Sequence, residues 1–379
     1  MPVRHFDTII VGGGAMGAAT ASQLTGRGQS VLVLDRFRPP HRLGSSHGET
    51  RVIREAYFEH PSYIPLLRRA YELWHALEKQ TGQRLLTITG GLTIGPEKGV
   101  VFPGARASAE QHGLPHEILR ASEVSERFPA LQVPEELLAV YEPRAGMLIV
   151  EGCIAAFQQV ARANGTTQQF DEPVLAWSAD ISGASVTTHR GSYSCDNLVI
   201  SAGAWLPLLV PGLAKALRIE RQVLYWFQPT TQREACEPDA LPVHVVEYGP
   251  DQYYYALPNA GDGVKAALHH QGITTSADDV DREVNDTERQ AMAALARRFL
   301  PPLAAAPHRS EVCLYTNTAD GHFLIDRHPA HDNVFIVSPC SGHGFKFASV
   351  IGEVVADLVT TGVSRFDLSL FGAARMNWT

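Results

Sequence analysis

A mixed α/β fold, with one Rossmann-like layer and a second domain built on a largely antiparallel β-sheet, is predicted by three features of the sequence. A strand, glycine loop, helix and strand follow one another at the start of the 379-residue chain. Closely spaced strand signals fill the stretch from Glu220 to His270 with no helix between them. A second strand, glycine loop and helix lie near the end. The length exceeds the roughly 250–300 residues at which one hydrophobic core stops growing, so more than one domain is expected.

Composition narrows the class without naming a function. Apolar residues make up 45% and charged residues 19%, a globular balance. The net charge of −8 gives no broad attraction to nucleic acid or to an anionic membrane surface. Arg far outnumbers Lys, and Arg is the better partner for planar carboxylates and phosphates. The five cysteines (Cys153, Cys195, Cys236, Cys313 and Cys340) form no C-x-x-C pair, so neither a disulfide framework nor a metal site is indicated. No apolar run approaches the roughly 20 residues that span a bilayer. The first strand starts near Phe6, leaving no room for a leader, and the terminal Met-Asn-Trp-Thr is not a peroxisomal tripeptide. A cytoplasmic protein is expected.

Phe6–Val11 is a short apolar strand running into Gly12-Gly13-Gly14-Ala15-Met16-Gly17. A helical stretch reaches Gly28, and Ser30–Leu34 gives a second strand ending at Asp35, 23 residues after Gly12. This is the G-x-G-x-x-G dinucleotide fingerprint in its proper setting. Gly12 allows the tight turn, Gly14 lets backbone approach a pyrophosphate, and Gly17 lets helix and sheet pack closely. The helix N-terminus offers unpaired N–H groups to phosphate, and Asp35 is placed to accept from a ribose. The fingerprint suits NAD and FAD equally; its position near the first residue favours FAD by analogy.

Ser62–Gly82 carries Leu66, Leu67, Ala70, Leu73, Trp74 and Leu77 at helical spacing, and Glu151–Asn164 reads as another helix. Strands around Pro173–Trp177, Ala184–His189 and Gly191–Cys195 suggest a meander leading into Asn197–Ser201. Arg221–Gln228, Val243–Tyr248, Gln252–Leu257 and Val264–His269 supply the antiparallel sheet. Thr287 and Gln290 resemble a capping box for a helix that Pro301-Pro302 ends. Asn333–Ser338 leads into Gly342-His343-Gly344 and an apolar helix, a second place where an anion can dock. The expected domains are discontinuous: 1–85, 146–219 and 322–379 bind the nucleotide, and 86–145 with 220–321 form the substrate domain.

Five clusters then stand out in order: Gly12–Gly17; Ser45-Ser46-His47-Gly48-Glu49-Thr50-Arg51-Val52-Ile53-Arg54; Lys265 to His269; Val312-Cys313-Leu314-Tyr315-Thr316; and Ser341-Gly342-His343-Gly344-Phe345-Lys346-Phe347. Together they resemble the monomeric sarcosine oxidase and N-methyltryptophan oxidase family, covalent flavoproteins within the D-amino-acid-oxidase-like superfamily. The resemblance spans the chain, with the sheet domain matching most loosely. It implies an FAD-binding Rossmann-like domain of glutathione-reductase type. Glu49 departs from the aspartate usual in its loop, and Pro339-Cys340 depart from smaller or purely apolar residues.

Taken alone, Cys313 reads as a buried core thiol; the resemblance implies a thioether from Cys313 to the 8α-methyl of FAD. Arg51 and Arg54 read alone as solvated arginines. The resemblance places Arg51 and His47 near the flavin and Arg54 against a substrate carboxylate, where a guanidinium fork pairs bidentately. Lys346 is its implied cationic partner, although its position at the flank of an apolar stripe lets it point inward or snorkel. Lys265 reads alone as an edge-strand lysine, and by resemblance as the cation promoting the oxygen reaction. His269, with adjacent His270 as a rival in register, and Tyr255 map near the substrate amine, and Tyr315 joins the substrate pocket. Ser45, Gly342, Gly344 and Lys346 complete the implied cofactor contacts.

The implied activity is oxidation of a small secondary amino acid such as sarcosine, with O2 as second substrate and hydrogen peroxide as product, in a monomer without nucleic-acid or membrane partners. A cyclic imino acid (pipecolate or proline) or a bulky N-methyl amino acid is the alternative substrate. An NAD-dependent dehydrogenase and a catalytically silent flavin module are the alternatives of other classes.

Overall fold

The computed structural model describes residues 4–376 and 378. Residues 1–3, Asn377 and Thr379, which include part of the terminal tetrapeptide, lie outside the described residues. The first strand, Arg4–Val11, pairs in parallel with Val31–Leu34 on one side and with Gly191–Ile200 on the other. Val31–Leu34 pairs in parallel with Thr167–Gln169, and the end of Gly191–Ile200 with His331–Ser338. The crossover helix Ala15–Gly26 lies against the helices Val150–Ala163 and Ala348–Thr361. A Cβ on Gly352 would meet the backbone of Ala19 at 2.6 Å, so glycine there is what lets the first and last helices approach.

The meander is continuous with this layer. Gly191–Cys195 and Asn197–Ser201, expected as separate pieces, form one strand, Gly191–Ile200. Its first half pairs antiparallel with Gly183–Thr188 and its second half joins the parallel strands. One strand can serve both because each half meets different neighbours, which a local pattern does not reveal.

The second sheet is built around Leu217–Phe227, which runs antiparallel to Arg309–Thr318 over ten residue pairs. On its other edge follow Val264–His269, Gln252–Leu257 and Val243–Gly249, each antiparallel to the next. Val243–Gly249 pairs in parallel with Gly91–Pro96, which continues antiparallel into Leu137–Glu142 and Glu117–Arg120. A third, short sheet is formed by Thr50–Ile53, Gly146–Ile149 and Leu86–Ile88. The helix Asp286–Phe299 packs on one face of the large sheet through Met292, Ala296 and Phe299. Asn285 and Glu288 form its capping box, not Thr287 and Gln290, because the chain leaves extended geometry two residues earlier than the sequence suggests.

Pleat geometry decides which residues face the nucleotide layer. Side chains two apart on a strand share a face, as do directly opposed residues on paired strands. Trp226 opposes Lys265, Ala267 opposes both Leu224 and Tyr255, and Gln222 opposes Cys313. Lys265, His269, Tyr255, Cys313 and Tyr315 therefore project from one face, away from the helix-covered one.

Candidate active site

A cavity of about 590 Å³ runs between that face and the carboxyl ends of the parallel strands. It is lined by Val11, Leu34, Ser201 and Val337 from the parallel layer and by Val245, Tyr255, His269 and Tyr315 from the antiparallel sheet. Open α/β sheets place ligands at this edge, and the volume lies within the usual range for a cofactor or ligand site.

At the nucleotide end, Gly12 adopts φ +100° and lines the cavity with Gly14. A Cβ at Gly14 would meet nothing within 4 Å, so the space above it is open. Gly17 does not line the cavity; a Cβ there would run into the Gly12 carbonyl, so its part is helix-to-loop packing. Asp35 is buried, accepting from the Gly13 amide at 2.7 Å and the Phe37 amide at 2.8 Å. Burial pushes its carboxyl up to about 6 against the pull of those two amides. The open glycine loop, the helix start and a carboxylate at the second strand's end fit a dinucleotide such as FAD.

At the other end two cations are buried. Of the chain's five lysines, Lys79, Lys98 and Lys215 are exposed, whereas Lys346 is buried at this end with Arg54, and Lys265 is buried behind the middle of the cavity. Lys346 sits in a 3-10 turn, Phe345–Phe347, ahead of the final helix and points inward. Its Nζ donates to the His343 carbonyl at 2.7 Å and meets the Tyr57 hydroxyl at 3.4 Å. Burial, then the neighbouring Arg54, lowers it to about 7. Arg54 is 7% exposed and donates to the Ala56 carbonyl at 2.7 Å and to both oxygens of Glu59 at 2.9 Å. The predicted carboxylate fork thus already holds an internal carboxylate. Glu59 is held ionised against burial chiefly by Arg54, which also donates to it.

Gly342 and Gly344 line the wall beside Lys346. A Cβ on Gly344 would collide with the Pro339 carbonyl, so the loop closes only with glycine there. His343 lies under this loop, its Nε2 donating to the Gly321 carbonyl at 2.9 Å and its Nδ1 accepting from the Tyr57 hydroxyl at 2.6 Å. His269 resolves the register question: it ends the strand, lines the cavity, and meets the Tyr315 hydroxyl through Nδ1 at 3.2 Å. His270 has left the strand with φ +59° and is exposed. Burial first, then His270 and the cations around it, keep His269 well below the ordinary imidazole range. Tyr255 is pushed up to about 12, mainly by burial.

Ser45 and Arg51 line the middle of the cavity, and behind them stand His47, Cys313 and Lys265. Arg51 donates to the Ser45 carbonyl at 3.0 Å and lies 3.5 Å from Cys313 Sγ, which is itself 3.5 Å from the Ser45 carbonyl. Burial raises the Cys313 thiol, but His47 and Arg51 outweigh it and bring the thiol down to about 7. The other three buried thiols, Cys153, Cys195 and Cys236, are driven upward by burial. Lys265 donates to the carbonyls of Gly48 (2.9 Å) and Thr50, and burial followed by Arg51 pushes it well below its ordinary value.

Sequence reasoning missed Glu59, Tyr57 and Glu311. Glu311 shares a strand face with Cys313, two residues on, and that alternation was the available signal. Glu59 lies five residues past Arg54 in a loop, where no periodicity marks it.

Comparison with known proteins agrees with this geometry. The family model described as FAD dependent oxidoreductase matches residues 7–358. The chain is 40% identical over 375 residues to a monomeric sarcosine oxidase of Streptomyces avermitilis, covering 98% of each chain. It is 34% identical over 372 residues to an N-methyl-L-tryptophan oxidase of Yersinia pestis, covering 98% of this chain and 99% of that one. Among solved structures, NikD, an unusual amino acid oxidase, superposes with a TM-score of 0.85 at 23% identity over 98% of both chains, a likeness of fold. On this evidence the chain belongs to the FAD dependent oxidoreductase family, beside the monomeric sarcosine oxidases and N-methyl-L-tryptophan oxidases.

Proposed function

We propose that the protein oxidises a small secondary, N-methyl amino acid such as sarcosine. The observation that carries this reading is the pair of buried cations, Arg54 and Lys346, at the end of a cavity whose other end fits FAD. A substrate carboxylate would take the place of Glu59 on Arg54 and gain Lys346 as a second donor. Such binding returns Lys346 to its charged form, because a carboxylate offsets the burial that now lowers it. Tyr255, His269 and Tyr315 then flank the amine, with His269 neutral and able to accept a proton. The cationic surroundings favour the neutral amine, the form that can lose hydride.

Bound FAD would supply the acceptor for a hydride equivalent from the carbon next to nitrogen and the route for those electrons to O2, so that the products would be hydrogen peroxide and an imine that hydrolyses. Arg51 and Lys265 are assigned to stabilise negative charge developing near the oxygen site, with Lys265 fixed by two loop carbonyls and opposed in its downward shift by Glu49 and Glu151. Cys313 is assigned as the covalent attachment point, supported by its lowered thiol and its contacts with Arg51 and Ser45. Gly12, Gly14, Asp35, Ser45, Gly342 and Gly344 would contact FAD, and Gly17 would support the loop.

Residues 1–85, 146–219 and 322–379 are read as the FAD-binding domain, and 86–145 with 220–321 as the substrate domain. We further read the chain as a cytoplasmic monomer, on its five unbridged cysteines and the monomeric name of its sarcosine oxidase relatives; light scattering tests the latter. Among the described residues no helix is long and apolar enough to cross a membrane.

Two measurements test the reading. Yellow retained in an acid-precipitated pellet, and lost to the supernatant in Cys313→Ala, supports covalent FAD; a yellow supernatant from the unaltered chain removes that assignment. A peroxide-coupled panel of N-methyl, cyclic and primary amino acids then decides the substrate. No peroxide with any of them overturns the oxidase assignment, and a preference for cyclic or bulky members overturns the small-substrate assignment.

A further inference from the structure

The turn that holds Lys265 is itself held in a strained shape. Gly48 and Glu49 both lie in the left-handed region, at φ +86° and +68°, and the Thr50 amide donates back to the Gly48 carbonyl at 2.8 Å. A three-residue turn closed around a central residue of positive φ is the rarer, strained form of γ-turn. Position 48 needs glycine, since a Cβ there would meet Leu224 of the large sheet at 2.5 Å. At Glu49 the same region is strained for any side chain, and such a residue persists only where its surroundings over-determine it.

Bonds on every side do so here. Glu151, in the first turn of the helix Val150–Ala163, accepts from the Gly48 amide at 2.9 Å and from the Glu49 amide at 3.1 Å. The Val150 amide at the helix start donates to the Glu49 carbonyl at 2.7 Å. The Glu49 carboxylate accepts from Trp226 Nε1 at 3.0 Å and from Arg309. The remaining carbonyls meet cations. Lys265 Nζ donates to those of Gly48 (2.9 Å) and Thr50, its only acceptors among the described residues, and Arg51 shares that of Thr50 at 2.9 Å. One peptide stretch therefore carries the buried lysine on its carbonyl side, and Glu151 grips its amide side.

We propose that Glu151 is a positioning residue for the oxygen half of the reaction: by gripping the amides of Gly48 and Glu49 it fixes the carbonyls that aim Lys265. This rests on the reading that Lys265 promotes reoxidation by O2. In that half-reaction O2 takes two electrons and two protons from the reduced flavin and leaves as hydrogen peroxide, and the first electron gives the oxygen a negative charge that a fixed cation stabilises. Glu151 does not line the cavity, so it acts only through the turn and through its charge. Burial, then Arg51, push Lys265 downward, and Glu49 on the turn, Glu151 on the helix and Cys313 on the strand Arg309–Thr318 oppose that push. A neutral amide at position 151 would lose both actions, because its NH2 would face one of the two N–H groups, a donor set against a donor.

The test takes two readouts from the flavin-loaded full chain. In the first, flavin reduced by light without air is mixed with oxygenated buffer, and the return of the oxidised spectrum is timed. Glu151→Gln should slow reoxidation about tenfold near neutral pH, against about 10²–10³ for Lys265→Met. Adding Glu151→Gln to Lys265→Met should cost at most about a further twofold, since one acts through the other. In the second, every lysine carries an isotope label at Cε and its proton loss is followed by NMR. The chain has five lysines, and the signal missing in Lys265→Met belongs to Lys265. In Glu151→Gln that signal should titrate at lower pH than in the unaltered chain, because a nearby negative charge is lost, while the other four hold their positions. A merely loosened fold would move it the other way, toward the ordinary 10.5, by admitting water. An unchanged reoxidation rate in Glu151→Gln, a full further loss in the double variant, or a Lys265 signal that stays or moves up overturns the inference and leaves the role of Lys265 standing. Reoxidation as fast in Lys265→Met as in the unaltered chain overturns both. If Glu151→Gln does not fold, Glu151→Asp decides, since its shorter side chain keeps the charge but weakens the grip. Slower reoxidation that Lys265→Met absorbs supports the inference, and an unchanged rate overturns it.

Discussion

Replacing Lys346 by methionine should make the protein more stable and worse at holding a carboxylate. Lys346 is 5% exposed, beside the like charge of Arg54, while the nearest counter-charge, Glu59, is already bonded to that arginine. Burial and Arg54 bring it from 10.5 to about 7. At about 1.4 kcal/mol per pH unit, the difference between folded and unfolded chains corresponds to a penalty of about 4–5 kcal/mol for the charged form. Because the folded value lies below the unfolded one, the unfolded chain binds more protons between about pH 7 and 10.5. The penalty is therefore complete below pH 7, and stability rises as pH climbs through that window. Methionine keeps the apolar stem but leaves the His343 carbonyl without its donor, a loss of about 1–2 kcal/mol. A net gain of about 2–4 kcal/mol near neutral pH remains.

Thermal unfolding of the flavin-loaded protein at several pH values measures this, with the advantage of the variant greatest at or below pH 7 and fading toward pH 10. Titration with a simple carboxylate, followed by the flavin absorbance, supplies the second readout. In the unaltered chain affinity should fall as pH rises through about 7, since the anion binds the protonated lysine. In Lys346→Met it should be about 10–100-fold weaker, the worth of one charge-assisted bond, and nearly flat with pH. A variant that melts lower at pH 6–7, or that keeps the pH dependence of binding, refutes the reasoning.

Other perturbations have equally direct outcomes. With FAD made exchangeable by Cys313→Ala, FAD affinity should drop as pH falls through about 6, where Asp35 takes up a proton, and Asp35→Asn should remove that dependence; equilibrium dialysis reports both. Gly344→Ala pushes a Cβ into the Pro339 carbonyl and should cost at least about 2 kcal/mol, seen as a lower melting temperature and less bound flavin. Lys265→Met should slow reoxidation by O2 by about 10²–10³ while flavin reduction by substrate changes far less; stopped-flow spectra that show equal losses in both halves would contradict the assigned role.

The local patterns were readable because their causes are local. The glycine spacing of Gly12, Gly14 and Gly17, the acid Asp35 and the period-2 alternation of Gln252–Leu257 and Val264–His269 each reflect the geometry of one turn or one strand. The joining of Gly191–Cys195 to Asn197–Ser201 was not readable, because its two halves are held by different partners, Gly183–Thr188 and the parallel strands. The capping box was misplaced by two residues, since Asn285 and Glu288 satisfy the same chemistry as Thr287 and Gln290 and only the path of the entering chain chooses between them.

By itself the sequence determined the two layers, the nucleotide fingerprint, and the residue types that line or back the rest of the cavity: cations, a thiol and a histidine. Only the tertiary structure decided their states. It showed that Arg54 is engaged by Glu59, that Lys346 points inward, and that His269 and not His270 faces the cavity. It also placed Glu311 on His47, across 264 residues of chain. The physical reason is that charge state depends on burial and on partners brought from distant segments, and neither is a property of the nearest neighbours in sequence.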